Sequence, residues 1–489
     1  MGRYHLITFG CQMNQHDSDR IRDVLGDAGH LPAASLDDAD LVLLNTCSVR
    51  EKAEQKLRSE VGRLGLLKRQ RPGLVIVVAG CVAQQEGERL VRKLPQIDIV
   101  LGPDQAGMLP RLLAEVEIGG LPQVQTSFDV EAPRFLASRV APGEAKVSDF
   151  VTIMKGCDER CTFCVVPTTR GPERYRPSDE IIAEISKLVR AGTREITLLG
   201  QTVDSYTDPL GKLPRPLEPS LPKPTRGAAV RRDESEFPGL LRAIAAAVPG
   251  LWRLRYTSPH PRHLTPALIG AHRDLPVLAR HVHMPVQSGS DRVLKRMSRR
   301  YSVAEYVERV GALRQSVSGM SISTDVIVGF PGETREEFEQ TLSLVRTMEF
   351  VGVFGFKYSP RPFTPALKLD DDVPEAEKSA RLSALFEVSE DLRSRHLLRL
   401  VGNTEEVLVE GVGARGGYTG RTLRNEIVHF EASRDPRGER VLVEITEALK
   451  HSLRGAPVES ELRSGPAGAA VPLVPVAARR APRSLPLAR

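Results

Sequence analysis

Four of the six cysteines stand at the end of a short β-branched apolar run. "YHLITFG" leads to Cys11, "LVLLNT" to Cys47, "LVIVVAG" to Cys81 and "FVTIMKG" to Cys157, with Cys161 and Cys164 close behind. Such runs read as strands covered on both faces. In a parallel sheet the C-terminal strand ends share one edge, and that edge is the ligand crevice. Cys11, Cys47 and Cys81, separated by 36 and 34 positions, are therefore expected to converge. Cys157, Cys161 and Cys164 already lie within eight residues of one another on the loop after their strand.

The rest of the chain is consistent with about three domains, the number 489 residues suggest. Residues 1–120 alternate strand runs, including "IDIVLG", with polar helix-permissive stretches, the mark of a βαβ series and a parallel sheet. Residues 143–397 offer six strand candidates: "FVTIMKG", "EITLLGQ", "WRLRYTS", "HVHMPVQ", "TDVIVGF" and "VFGFKYS". Six β/α units predict a barrel or partial barrel, with its site at the C-terminal strand ends. One helix is expected to start at "RPSDEIIAEISKLVRAG", with Ser178 as its N-cap and Gly192 past its end. A segment at 207–234, with six prolines, reads as an irregular insertion after the second barrel strand. Residues 400–463 alternate as a small all-β barrel would. The tail 464–489 has four arginines and no acid, and is expected to be disordered.

A formal charge of +6 permits a nucleic-acid partner without demanding one. No apolar run approaches the roughly 20 residues of a membrane helix, and the start lacks the apolar core of a signal peptide. The expected compartment is the cytoplasm, where clustered cysteines mean metal or catalysis rather than disulfides.

The spacing C-x3-C-x2-C lets three thiolates surround one 4Fe–4S cluster and leaves one iron without a protein ligand. A structural zinc site would call for four ligands, usually in C-x2-C pairs, and inert buried thiols are the other alternative. Three unrelated buried cysteines are likewise the alternative for Cys11, Cys47 and Cys81. Their repetition at the same structural position favours a second open cluster.

C-x3-C-x2-C with Phe163 before its last cysteine resembles the motif of radical S-adenosylmethionine (SAM) enzymes. With three cysteines ahead of it, the chain from 1 to 455 resembles the methylthiotransferases of that superfamily. "FGCQMNQHDSD", "LLNTCSVREKAEQK", "AGCVAQQEGE", "GCDERCTFCVVPTTRGPE", "PVQSGSDRVLKRM" and "DVIVGFPGET" carry the likeness. They favour the branch acting on N6-isopentenyladenosine beside the tRNA anticodon. Sister branches act on threonylcarbamoyladenosine or on a ribosomal-protein aspartate.

The resemblance implies an α/β fold: a parallel-sheet N-terminal domain, a partial (β/α)6 radical barrel and a C-terminal TRAM barrel that binds RNA. It implies two 4Fe–4S clusters, one on Cys157, Cys161 and Cys164, the other on Cys11, Cys47 and Cys81. SAM would be the co-substrate, contacted by Gly200 and Gln201, by Gln287, Ser288, Gly289 and Ser290, and by Gly329, Gly332 and Glu333. The glycines there would let backbone approach a nucleoside closely, although each such turn also reads as an ordinary tight turn. Arg415, Arg421 and Arg424 are candidate RNA contacts, against the alternative of solvated surface charges. The partners implied are a tRNA anticodon stem-loop and an electron donor of the flavodoxin or ferredoxin type, with the sulfur donor unassigned and no membrane. "GQTVDSY" and Phe363 in "YSPRPFTPA" depart from the family pattern. A non-catalytic electron carrier or cluster scaffold is the competing class. Full cysteine ligation would suit it better, and a large barrel is unnecessary for it.

Overall fold

The computed structural model describes residues 2–48, 51–140, 145–213, 235–414 and 416–458. Most of the proline-rich insertion, Arg415 and the expected disordered tail lie outside the described residues.

The first region is a six-stranded parallel sheet. Its strands are β1 (Arg3–Phe9), β2 (Leu31–Pro32), β3 (Leu41–Thr46), β4 (Val75–Gly80), β5 (Ile99–Leu101) and β6 (Gln123–Gln125), in spatial order β2-β1-β3-β4-β5-β6. Alternate residues of the central strands feed two cores. Val42, Leu44, Ile76 and Val78 pack with Leu57, Val61 and Leu64 of the helix Glu51–Gln70. Leu41, Leu43, Val77 and Ala79 pack with Ile21 and Leu25 of the helix Gln12–Asp27 and with Leu109, Leu112 and Leu113. Burial on both faces is why these strands read as unbroken apolar runs. The edge strands β2 and β6 were not foreseen, because two or three residues show no periodicity. Register aligns Phe9 with Thr46 and Thr46 with Gly80, so the strands end level.

The six barrel strands form two parallel sheets. β7 (Ser148–Thr152) continues after a break into the short β8 (Met154–Lys155), which pairs antiparallel with β9 (Arg174–Tyr175). That pair clips together the two ends of the cysteine loop. β10 (Glu195–Leu199) lies between β7 and β11 (Arg253–Tyr256). β12 (His281–His283), β13 (Ser321–Val328) and β14 (Gly352–Lys357) form the second sheet. One core spans both, with Ile196, Leu254, Val282, Ile322 and Val353 among its members. An isolated parallel bridge between Leu254 and Leu278 links the sheets into a partial barrel. The helix expected near Ser178 runs Ser178–Ala191, but Ser178 is its first residue and not its cap. Pro177 holds the cap position, and the Ser178 hydroxyl turns away to donate to Asp208 at 3.0 Å.

The C-terminal region is a closed five-stranded barrel of β15 (Thr404–Val412), β16 (Tyr418–Thr422), β17 (Ile427–Phe430), β18 (Arg440–Ala448) and β19 (Leu453–Pro457). β16 and β19 escape sequence reading because glycine interrupts their alternation. The barrel meets the radical region near the start of β11 and just before β12. Arg253 and Arg255 donate to the carbonyls of Arg421 and Thr422 at 3.2 Å, and the Arg280 N–H to Leu423 at 3.1 Å. The cysteine loop is at the opposite, C-terminal end of the strands. No helix among the described residues is long and apolar enough to cross a membrane.

Candidate functional site

The level strand ends bring Cys11 beside Cys47. Gly10 makes this possible: its φ is +138°, and a Cβ there would collide with Cys47 and Asn14. The Cys47 N–H donates to the Phe9 carbonyl at 3.1 Å. Beneath them Asn14 and Asn45 bond to each other at 3.3 Å, and the Cys11 thiol donates to Asn14 at 3.2 Å. A hydrogen bond from Cys47 pulls the Cys11 thiol down to about 6, with Asn14 and Arg170 helping against burial. Cys81 opens the helix Cys81–Glu86; burial pushes its thiol up, against the pull of Arg170.

The second set is held by its surroundings. Gly156, at φ +80°, sits where a Cβ would strike the Pro172 carbonyl. The Cys157 N–H donates to Gly171 at 3.1 Å, the Thr162 N–H to Met297 at 3.0 Å, and the Ala366 N–H to Thr162 at 2.8 Å. Thr202 Oγ1 lies 2.9 Å from Cys157 Sγ, and Arg299 donates to Cys161 Sγ at 3.3 Å. Burial pushes the Cys157 thiol up, and the Cys164 thiol up to about 12. Thiols held up in this way shed their protons when a metal binds.

Arg170 ties the two sets together. It ends the five-residue helix Val166–Arg170 that begins just past Cys164. Only 5% exposed, it pairs with Asp17 at 2.6 Å, and its charge pulls on the Cys81 thiol. The same seam holds Lys146–Asp19 at 2.7 Å, Lys155–Asp104 at 3.2 Å, Arg174–Asp104, and His16 with Thr152 at 3.3 Å. Arg170, Thr202 and Arg299 were not singled out from the sequence. Arg170 lies within "VVPTTRG", yet nothing in the spacing shows that its side chain reaches Cys81.

The donor set suits iron–sulfur chemistry: all six cysteines are free thiols, with Thr202 and Arg299 against sulfurs of the loop set and the Arg170 charge pulling on Cys81 in the other. Among the described residues no three His, Cys, Asp or Glu side chains gather tightly enough for one metal ion. A four-iron cluster asks for less, because each thiolate binds a different iron.

Of the candidate cofactor residues, Gln201 accepts from the Gly156 N–H at 2.5 Å, leaving its buried Nε2 without a partner. Gly200 abuts Met154. Gln287 adopts φ +72°, a rare backbone for a non-glycine residue. Ser288 lies near Thr341, and Gly289 packs against the backbone of the helix Arg335–Met348. Ser290 caps the helix Asp291–Arg296. Gly329 and Gly332 have positive φ, while Glu333 accepts from Gly329 at 2.6 Å and Arg381 at 2.7 Å and keeps a buried Oε1 unpartnered. Phe163 meets Phe330 edge to face at 6.5 Å, which brings the 326–333 turn onto the cysteine loop. Past Gln201, both oxygens of the buried Asp204 accept from the His260 N–H at 2.9 Å, and burial lifts its carboxyl to about 7.

Arg421 and Arg424 are engaged within the protein. Arg424 pairs with Glu405 at 2.5 Å and Glu426 at 3.2 Å, and Arg421 with Glu410 at 3.3 Å.

Three family descriptions match the chain: uncharacterized protein family UPF0004 over residues 3–102, the radical SAM superfamily over 151–345 and the TRAM domain over 398–458. A tRNA-2-methylthio-N(6)-dimethylallyladenosine synthase of Sorangium cellulosum is 61% identical over 476 residues, 94% of each chain. A protein of the same name from Neisseria meningitidis is 43% identical over 94% of this chain and 100% of its own. Among solved structures, the radical S-adenosylmethionine methyltransferase TsrM of Kitasatospora setae superposes with a TM-score of 0.52 at 13% identity, over 75% of this chain and 77% of its own. That likeness is one of fold.

Proposed function

Since the chain belongs to the family of tRNA-2-methylthio-N(6)-dimethylallyladenosine synthases, we propose that it converts the C2–H bond of N6-isopentenyladenosine beside the tRNA anticodon into C2–S–CH3. The observation that carries this reading is the juxtaposition of the two cysteine sets across the Arg170 seam. Adding sulfur to an unactivated carbon needs both a hydrogen-abstracting radical and a sulfur source, brought to one base. When bound, one 4Fe–4S cluster with its SAM supplies the radical and the other holds the sulfur.

The residues divide the work. Cys157, Cys161 and Cys164 hold the radical cluster, and Thr202 and Arg299 fix the orientation of two of those sulfurs. Cys11, Cys47 and Cys81 hold the auxiliary cluster, with Arg170 placing a positive charge beside it. Gln201 offers its unpartnered amide to SAM. The turns carrying Gln287 to Ser290 and Gly329 to Glu333 border the nucleoside. The target base must leave its stack to lie between the two sets, in a loop whose bases are already exposed. The TRAM barrel contacts the RNA. At Arg421 and Arg424 such contact requires exchanging ion pairs for phosphates. Electrons come from a carrier of the flavodoxin or ferredoxin type.

The test is mass spectrometry of tRNA nucleosides from cells with and without the gene. Loss of 2-methylthio-isopentenyladenosine, with accumulation of isopentenyladenosine, is expected. An unchanged nucleoside profile would refute the reading.

A further inference from the structure

An open cavity of about 600 Å³ lies beside the cysteine loop, lined by Arg160, Lys295, Arg299 and Arg300 with Asp291 and Glu305 among its other residues. Its acids are turned to structural tasks. Asp291 accepts from the Val303 N–H at 2.7 Å, and Glu305 accepts from the Ser302 N–H at 2.7 Å in a capping box. Three of its four cations are not. Arg160, Lys295 and Arg300 are exposed, and none makes an ion pair or side-chain hydrogen bond among the described residues. With four cations against two acids, the cavity is a cationic recess, and three of those cations face solvent.

Arg299 forms the cavity's inner wall. Its three guanidinium nitrogens bond to Tyr301 at 3.1 Å, to Cys161 Sγ at 3.3 Å and to the Pro285 carbonyl at 3.3 Å. One fixed side chain thus separates the recess from a cluster ligand. Among the described residues, none of the first sheet or of the C-terminal barrel lines the recess. The seam to the other cysteine set runs instead through Cys164 and Arg170. A base held between the two sets has no need of this side, but an electron bound for the radical centre does.

We propose that this recess docks an acidic one-electron carrier protein that reduces the centre on Cys157, Cys161 and Cys164. The proposal rests on the function above, which consumes one electron from outside each time SAM is cleaved. The carrier is oxidised by one electron and the cluster is reduced by one, and no bond or proton moves in that step. Exposed cations beside the entry point raise the encounter rate with an acidic partner, and salt screens the effect.

The test follows reduction of the reconstituted protein by reduced bacterial flavodoxin in a stopped-flow instrument, at low and high salt, with no tRNA present. Arg160→Glu/Arg300→Glu should slow the second-order step roughly tenfold or more at low salt, and the deficit should shrink as salt rises. Lys295→Glu, a single change on an exposed helix face, should act in the same direction. Flavodoxin binding should weaken in parallel. An unchanged rate overturns the proposal. So does equal slowing with dithionite, a small reductant that needs no docking and would place these residues in cluster integrity. Loss of affinity for an anticodon stem-loop with flavodoxin binding intact would make the recess an RNA site and also overturn it. A wild-type protein that flavodoxin reduces but that makes no methylthio product would sink the tRNA reading and leave the docking site standing.

Discussion

The two cysteine sets reach similar chemistry by opposite routes. Cys157, Cys161 and Cys164 come from one loop, so the chain itself keeps them close, and the neighbours at Thr202, Met297 and Ala366 only set its shape. Cys11, Cys47 and Cys81 span 70 positions and meet only because three strands end level. A one-residue slip of β1 against β3 would move every β1 side chain to the other face and take Cys11 away. The first set is a local solution, close at hand even in an unfolded chain. The second exists only in the folded sheet, and it alone depends on a side chain from another region, Arg170.

The comparison is broken most severely at Arg170. Arg170→Met leaves the half-buried Asp17 at the seam without its cation, a loss of about 2–3 kcal/mol in denaturant unfolding. Arg170→Met/Asp17→Asn should recover part of it. Iron retention should fall on the Cys11, Cys47, Cys81 side and hold on the other. Equal loss from both sets would show that they are not independently built.

The loop set is probed at Asp204, two residues beyond the Cys157 partner Thr202. Burial raises its folded pKa to about 7 from the ordinary 3.8. Between those values the folded state binds the extra proton, so stability falls as pH rises through the window, by at most about 1.4 kcal/mol per pH unit. Asp204→Asn should flatten that slope and gain most at pH 7 and above, as thermal unfolding at pH 5 and 8 would report. A slope unchanged by the substitution would place the titration elsewhere.

The smallest effect is expected at Phe363, which adopts φ +64° in the segment whose Ala366 N–H bonds to the cysteine loop. Phe363→Gly relieves a backbone that favours glycine and should raise stability by about 1 kcal/mol in the same assay. A loss would mean that its exposed ring carries a contact worth more than the strain.

The sequence was most legible where burial covers both faces of a strand. The runs at 41–46 and 74–80 stand as strands with nearly the same bounds. β2, β6, β16 and β19 were missed because they are too short, or too rich in glycine, to carry a period. Ser178 looked like a helix cap, but Asp208, 30 positions away, takes its hydroxyl. The cysteine positions were legible because a thiol after each apolar run marks a strand end. Arg170, Thr202 and Arg299 were not, because their roles lie in where long or rotatable side chains point, which depends on packing between regions. For Arg421 and Arg424 the motif suggested RNA, and the glutamates that pair with them came from positions the motif does not contain or single out.

The division of labour between the two sets is tested most directly with Cys81→Ala, assayed in one reaction for 5′-deoxyadenosine and for the methylthio nucleoside. SAM cleavage should persist while the methylthio product disappears. Full methylthiolation by this variant would contradict the role given to the strand-end cysteines.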